Sequence, residues 1–214
     1  MTLKKHLPNR YQIVSGVCLA AAGWLFFNTA PKLLVVLERA EILTPKLSSP
    51  PTRMEVIREQ AFLDTLATAE VGTVDPEGYR RIVFRGKVKN FARHPRKLEC
   101  GIIGGKRVCS TAAGRYQALD ITWSRIAAKL KLRDFSPKSQ DKFAIELIRE
   151  KRALRDVRAG RFDRAICKVG GVWASLPCNT YRQNPRSLSA LRKIYNQRVE
   201  FYLNFYRRRG QEVR

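Results

Sequence analysis

The sequence predicts an α+β protein: a mainly helical domain with a small β-region, preceded by an N-terminal transmembrane helix. Three observations predict it. Apolar residues recur at helical spacing in stretches opening near Glu55, Ser136 and Ser187. Short Ile, Val and Phe runs among glycines, at Tyr79 to Val88 and on either side of Gly104-Gly105, suggest small strands. An uncharged run from Tyr11 to Pro31 follows Lys4, Lys5 and Arg10. The chain thus divides into a cytoplasmic basic flank (1–10), a transmembrane anchor or uncleaved signal (11–31), a linker (32–52) and a folded domain (53–214).

About 20 apolar residues span the hydrocarbon core as a helix. The cations before Tyr11 favour that end inside and the remainder exported, while Lys32, Arg39 and Lys46 weaken the bias. A cleaved signal peptide is the competing reading. Asn28-Thr29-Ala30 matches a cleavage site only loosely, Pro31 after it is unusual, and Ser15-Gly16-Val17 before Cys18 poorly matches a lipid-attachment context. The Gly and Ala content makes the run only moderately hydrophobic. Leu33 to Glu41 continues as a helix, and Pro45, Ser48, Ser49, Pro50 and Pro51 mark a linker.

Within the folded domain, Val56, Phe62, Leu63 and Leu66 lie near helical spacing over Glu55 to Glu70, and Gln60 to Ala69 is expected to be amphipathic. Ser136-Pro137 is a helix N-cap followed by proline at the first helical position, and Phe143, Ala144, Leu147 and Ile148 form that helix's apolar face. Ser187 caps a last helix through Leu188, Leu191, Tyr195 and Val199.

Of the 214 residues, 42 are Lys or Arg and 18 Asp or Glu, a formal charge of +24. Residues 1–52 hold six of the basic and two of the acidic residues, so the folded domain keeps about +20. That charge implies either a solvated basic surface or a polyanionic partner: nucleic acid, an anionic membrane or an acidic envelope polymer. No zinc-ligand spacing occurs, and no metal or organic cofactor is implied. A nucleic-acid reading rests on charge alone, so no specific nucleic-acid partner is expected.

Cys100 and Cys109 lie symmetrically about Gly104-Gly105, a favoured two-residue hairpin turn. Residues opposed across such a hairpin are within disulfide range. Cys167 and Cys178 are placed for a second bridge, with Cys18 left over. Two bridges suit an oxidising compartment; five buried thiols in a reducing one are the alternative.

Glu70 ends its helical run where a glycine-containing polar stretch begins, a natural place for a glycosidase acid. Ala61-Phe62-Leu63-Asp64, Glu70, Gly72-Thr73, Gly78-Tyr79, His94-Pro95-Arg96-Lys97, Ala113-Gly114-Arg115-Tyr116-Gln117, Asp134 to Asp141, Trp173-Ala174-Ser175-Leu176-Pro177 and Tyr181 with Gln183 occur in order. Over about residues 55–200 the chain resembles the phage lambda endolysin family of lysozyme-like lytic transglycosylases. The resemblance implies a lysozyme-like catalytic domain that cuts the β-1,4 bond from N-acetylmuramic acid to N-acetylglucosamine in peptidoglycan. It implies Glu70 as the single acid/base, and 1,6-anhydro ends as product. Arg115, Tyr116, Gln117, Tyr181 and Gln183 are implied as substrate contacts. The residue chemistry leaves Tyr116 as either a sugar-stacking face or core, and Arg115 as either a steering cation or an ion-pair partner. Trp173 reads as a core anchor and His94 as a structural hydrogen-bonding residue. The chain departs from the family pattern at Val71, inserted between Glu70 and Gly72, at Phe84-Arg85, and at Arg182 between Tyr181 and Gln183. A hydrolytic lysozyme and an inactive wall-binding protein of the same fold are the alternatives.

Overall fold

A computed structural model describes residues 50–181 and 185–211 of the chain. Helix α1 (Arg53–Val71) starts at Thr52, whose side chain accepts from Glu55 N at 3.2 Å while Glu55 Oε2 accepts from Thr52 N at 2.8 Å. This reciprocal cap satisfies two of the first turn's orphan donors. Gly72 ends the helix in the left-handed region, which lacks a penalty only for glycine.

The expected amphipathic pattern in α1 is corrected by the packing. Every residue from Ala61 to Ala67 is buried, Asp64 and Thr65 included. Helix α4 (Leu154–Arg158) and helix α6 (Leu188–Arg208) both pack against α1, so α1 runs through the interior rather than along its edge. Phe62 and Leu66 are fully buried there. Truncating either to Ala costs about 2–5 kcal/mol in transfer and cavity free energy.

The β-region consists of two antiparallel ribbons. Strands β1 (Arg81–Ile82) and β2 (Gly86–Lys87) are joined by a tight turn at Val83–Arg85. Strands β3 (Glu99–Ile103) and β4 (Lys106–Ser110) pair with Cys100 opposite Cys109. Gly104 and Gly105 both have positive φ, as the hairpin turn requires, and the expected Cys100–Cys109 disulfide is present. A second disulfide joins Cys167 to Cys178.

Helices α2 (Asp120–Leu130), α3 (Pro137–Glu150) and α5 (Phe162–Val169) complete the domain. The expected caps are in place: Ser136 Oγ accepts from Ser139 N at 3.3 Å, and Ser187 Oγ from Ala190 N at 3.2 Å. Helices α2, α4 and α5 had no expectation in the sequence. Trp123, Phe135 and Phe143 form an aromatic cluster against which the His94 ring packs. Among the described residues no helix is long and apolar enough to cross a membrane. The segment 11–31, expected to do so, lies outside the described residues, as do residues 32–49 of the linker and Cys18.

Candidate active site

Glu70 is the penultimate residue of α1, so a rigid buried helix delivers its side chain to the point where the chain turns at Gly72. Inserted Val71 is absorbed as the last helical residue, directly before the glycine cap. The Glu70 carboxyl is half-buried, and Ser175 Oγ donates to its Oε1. Burial pushes the carboxyl up to about 7. The Ser175 hydrogen bond and the nearby positive charge of Arg186 act in the opposite direction but do not outweigh desolvation.

Ser175 is held on both sides. Its carbonyl accepts from Arg186 N at 2.9 Å, and Leu176 N donates to Trp173 O at 3.1 Å, turning the chain beneath it. Arg186 Nε also reaches Ala69 O at 3.4 Å, beside Glu70 on the helix end. The Cys167–Cys178 bridge ties this loop to α5. Buried Trp173 donates from Nε1 to Tyr116 O at 2.9 Å. Trp173 is thus a core anchor that joins the Gly114-Arg115-Tyr116-Gln117 turn to the loop carrying Ser175.

The structure separates the expected substrate contacts into two groups. Tyr116 is 2 % exposed, and its hydroxyl donates to Asp141 Oδ1 at 2.6 Å. Its ring lies in the core and presents no face for sugar stacking, a correction of the expectation for it. Arg115 is corrected likewise: it is buried, and its guanidinium pairs with Asp64 instead of steering a polymer. Gln117 stays partly exposed at the turn, with Nε2 donating to Gly114 O at 2.9 Å. Tyr181 is exposed, its hydroxyl donating to Gly171 O at 2.8 Å. Gln183 and Arg182 lie outside the described residues.

Beneath the turn lies a polar network that sequence reasoning did not assemble. Asp64 accepts from Arg115 on Oδ1, and on Oδ2 from Arg198 Nε at 2.6 Å and Tyr202 at 2.9 Å. Gln140 Oε1 accepts from Arg115 N at 2.8 Å, while its Nε2 donates to Phe135 O at 2.8 Å and Tyr79 O at 3.1 Å. Tyr79 joins Tyr116 in donating to Asp141, at 2.8 Å. Burial holds the Asp141 carboxyl above its ordinary value and pushes the Tyr79 hydroxyl up to about 12. A lone Asp within the apolar run Ala61 to Leu66 was the available signal for the first of these groups. Ser175 was legible only as part of the Trp173 to Pro177 block, and nothing local pointed to its partner Glu70, 105 positions away.

A hydrolytic route would need a second carboxylate, and Asp75, Glu77 and Asp120 are each engaged by another partner. Asp75 accepts from Thr73 Oγ1 at 2.9 Å, Glu77 pairs with Lys87 at 3.3 Å, and Asp120 pairs with Arg96 at 3.2 Å. His94 is buried, with its Nδ1 accepting from Arg96 N at 3.1 Å. Its other nitrogen therefore carries the hydrogen donated to Ala118 O at 2.9 Å, which fixes a neutral structural tautomer. Among the described residues no group of three His, Cys, Asp or Glu side chains is placed to hold a metal ion.

A carboxylic acid with a raised pKa, set at the end of an interior helix in a mainly helical domain with a small β-region, is the architecture of a lysozyme-like protein. Bacteriophage lambda lysozyme complexed with a chitohexasaccharide superposes with a TM-score of 0.61 at 34% identity, covering 74% of this chain and 97% of that one. A second structure of lysozyme from bacteriophage lambda gives 0.53 at 31% identity with the same coverage. In sequence, the endolysin of Escherichia phage P2 is 41% identical over 146 residues, 63% of this chain and 88% of that protein. The endolysin of Escherichia phage lambda is 39% identical over 132 residues, 59% of this chain and 81% of that protein. Residues 60–200 match the endolysin family model, and the chain belongs to that family.

Proposed function

We propose that the chain is a lytic transglycosylase in which Glu70 is the only acid/base. At the coarser level the protein is a lysozyme-like glycosidase that acts on peptidoglycan. The observation that carries the assignment of Glu70 as acid/base is its carboxyl, pushed up to about 7 while Ser175 occupies Oε1. Oε2 is then the oxygen left to hold a proton toward a substrate.

The protonated acid gives its hydrogen to the glycosidic oxygen, and the C–O bond to the muramic acid anomeric carbon breaks. The resulting carboxylate takes the proton of the muramic acid C6 hydroxyl as that oxygen bonds to the anomeric carbon. A 1,6-anhydro end forms, the proton returns to Glu70 and no water is consumed. A pKa near the working pH suits a group that must both give and take one proton. No second carboxylate is needed, in contrast to the usual paired-carboxylate glycosidase. Engagement of Asp75, Glu77 and Asp120 by their own partners agrees with this.

Gln117 and Tyr181, both accessible, are the proposed glycan contacts, joined by Gln183 from the sequence pattern. The apolar run 11–31 would tether the domain to the membrane with its catalytic part exported, where the basic surface meets anionic envelope polymers. Mass spectrometry of fragments from purified peptidoglycan, digested by the chain and by Glu70→Gln, tests the mechanism. Anhydro-ended fragments that vanish with Glu70→Gln are the expected result. Reducing-ended fragments, heavier by one water, would make the enzyme a hydrolase. Folded protein that binds the glycan without cutting it would leave a wall-binding protein.

A further inference from the structure

On the side of the domain formed by the end of α3, by α4 and by α5 lies a cavity of about 620 Å³. Seven cationic side chains line it against a single carboxylate, Asp156. None of the residues that position Glu70 takes part, so the cavity is separate from the candidate active site.

Its cations are arranged rather than scattered. Asp156 is 2 % exposed and sits at the base. Its Oδ1 accepts from Arg161 Nε at 2.7 Å, and its Oδ2 accepts from Lys168 and lies 3.8 Å from Arg164 Nε. One buried negative charge thus orients three positive ones. Lys168 is fixed further by donating to Arg152 O at 3.1 Å. At the rim, Arg158 is held by Glu59 and Arg149 by Glu146. Arg152 and Arg155 have no ion-pair partner among the described residues.

We propose that this cavity is a binding site for an anion carrying two or more phosphate groups. The volume lies in the range of small-ligand sites. The planar guanidinium fork matches phosphate oxygens in pairs, and arginine outnumbers lysine here six to one. A single carboxylate or monovalent anion would leave most of the positive charge unanswered, whereas a polyphosphate answers several cations at once. Arg152 and Arg155 are the residues that close on the ligand, since the others already hold protein carboxylates. The inference stands independently of the reaction proposed at Glu70.

Isothermal titration of the full chain with inorganic tripolyphosphate tests it, with acetate as the monovalent comparison. Arg152→Glu/Arg155→Glu should weaken tripolyphosphate binding by about tenfold or more, the size expected for lost hydrogen bonds to charged groups. Arg207→Glu/Arg208→Glu makes the same charge change at the end of α6 and should leave the affinity nearly unaltered. Equal losses in the two pairs would overturn the proposal in favour of diffuse charge, as would wild-type affinity for tripolyphosphate no greater than for acetate. Arg152→Gln/Arg155→Gln, with thermal unfolding like that of the wild type, separates a lost site from a lost fold; a folded Gln pair that binds as the wild type does would also overturn it. Competition by vesicles of tetraoleoylcardiolipin, whose headgroup carries two phosphates, would assign the phosphates to a lipid headgroup. Its absence, with the arginine dependence intact, would assign it to a soluble anion.

Discussion

The Ser175 hydroxyl donates to Glu70 Oε1 across 105 residues of chain, bringing the end of α1 and the Trp173 loop into one constellation. That hydrogen bond favours the ionised carboxylate and works against the dominant desolvation. Ser175→Ala should therefore raise the Glu70 pKa still further. The alkaline limb of kcat/KM moves to higher pH, and the rate falls by about tenfold as the carboxyl loses its fixed orientation. Initial rates on peptidoglycan across pH would reveal it; a limb that stays in place would mean Ser175 does not sense the titrating group.

Glu70→Gln separates activity from stability. Cleavage should fall by about a thousandfold or more, because no other group replaces the proton donor. The native pKa of Glu70, about 7, lies above its ordinary 4.5, so the folded state holds the proton more tightly than the unfolded state. The stability this contributes is complete below the ordinary value and is lost as pH rises through about 7. An uncharged Gln avoids that loss. The variant should gain about 2 kcal/mol on the wild type between pH 5 and pH 8, a figure reduced for partial exposure. Urea melts at the two pH values would show it, and a constant difference would contradict the buried-acid assignment.

Asp64 gathers two guanidinium groups and a tyrosine hydroxyl between α1, the Gly114-Arg115 turn and α6. Asp64→Ala leaves buried Arg115 without its carboxylate, and breaking a buried pair in this way costs about 3–5 kcal/mol. Chemical denaturation would measure the loss. A loss below about 1 kcal/mol would equate the pair with an exposed ion pair.

Burial, the larger influence, lowers the pKa of His94 despite its hydrogen bond to Ala118 O. A second proton would also break the bond that Nδ1 accepts from Arg96 N. The stability His94 contributes is present above its ordinary value near 6.5 and is lost as pH falls through the lower native value. Replacement by Gln should therefore flatten the acid side of the stability profile. An unchanged slope would show that the ring titrates alike in both states.

The parts of the fold that were legible in the sequence are those governed by local chemistry. Ser136 and Ser187 cap helices because their hydroxyls reach backbone donors three residues on, and Gly104-Gly105 turns because both positions need positive φ. Helix α1 was legible in place but not in burial, since Asp64 and Thr65 hide in the interior only after α4 and α6 close around them. Tyr116 and Arg115 carry chemistry suited to a sugar, yet Asp141 and Asp64 draw them inward. That outcome depends on long-range packing, which no local pattern encodes. The Glu70–Ser175 pairing is long-range in the same sense.

The Cys167–Cys178 disulfide closes the segment that contains Trp173 and Ser175. Its loss should weaken both the fold and the site. With a sequence separation of 11, loop-closure entropy gives about 3 kcal/mol of stability. The Cys100–Cys109 bridge has a similar separation of 9, but its hairpin is not among the groups that hold Ser175 against Glu70. Replacing either pair by serine should therefore lower the melting temperature by comparable amounts. Only Cys167→Ser/Cys178→Ser should also shift the alkaline limb of kcat/KM upward, as Ser175→Ala does, because a loosened loop weakens the same hydrogen bond. Equal pH profiles for the two double variants would show that Trp173, through its bond to Tyr116 O, holds the loop in place without the disulfide.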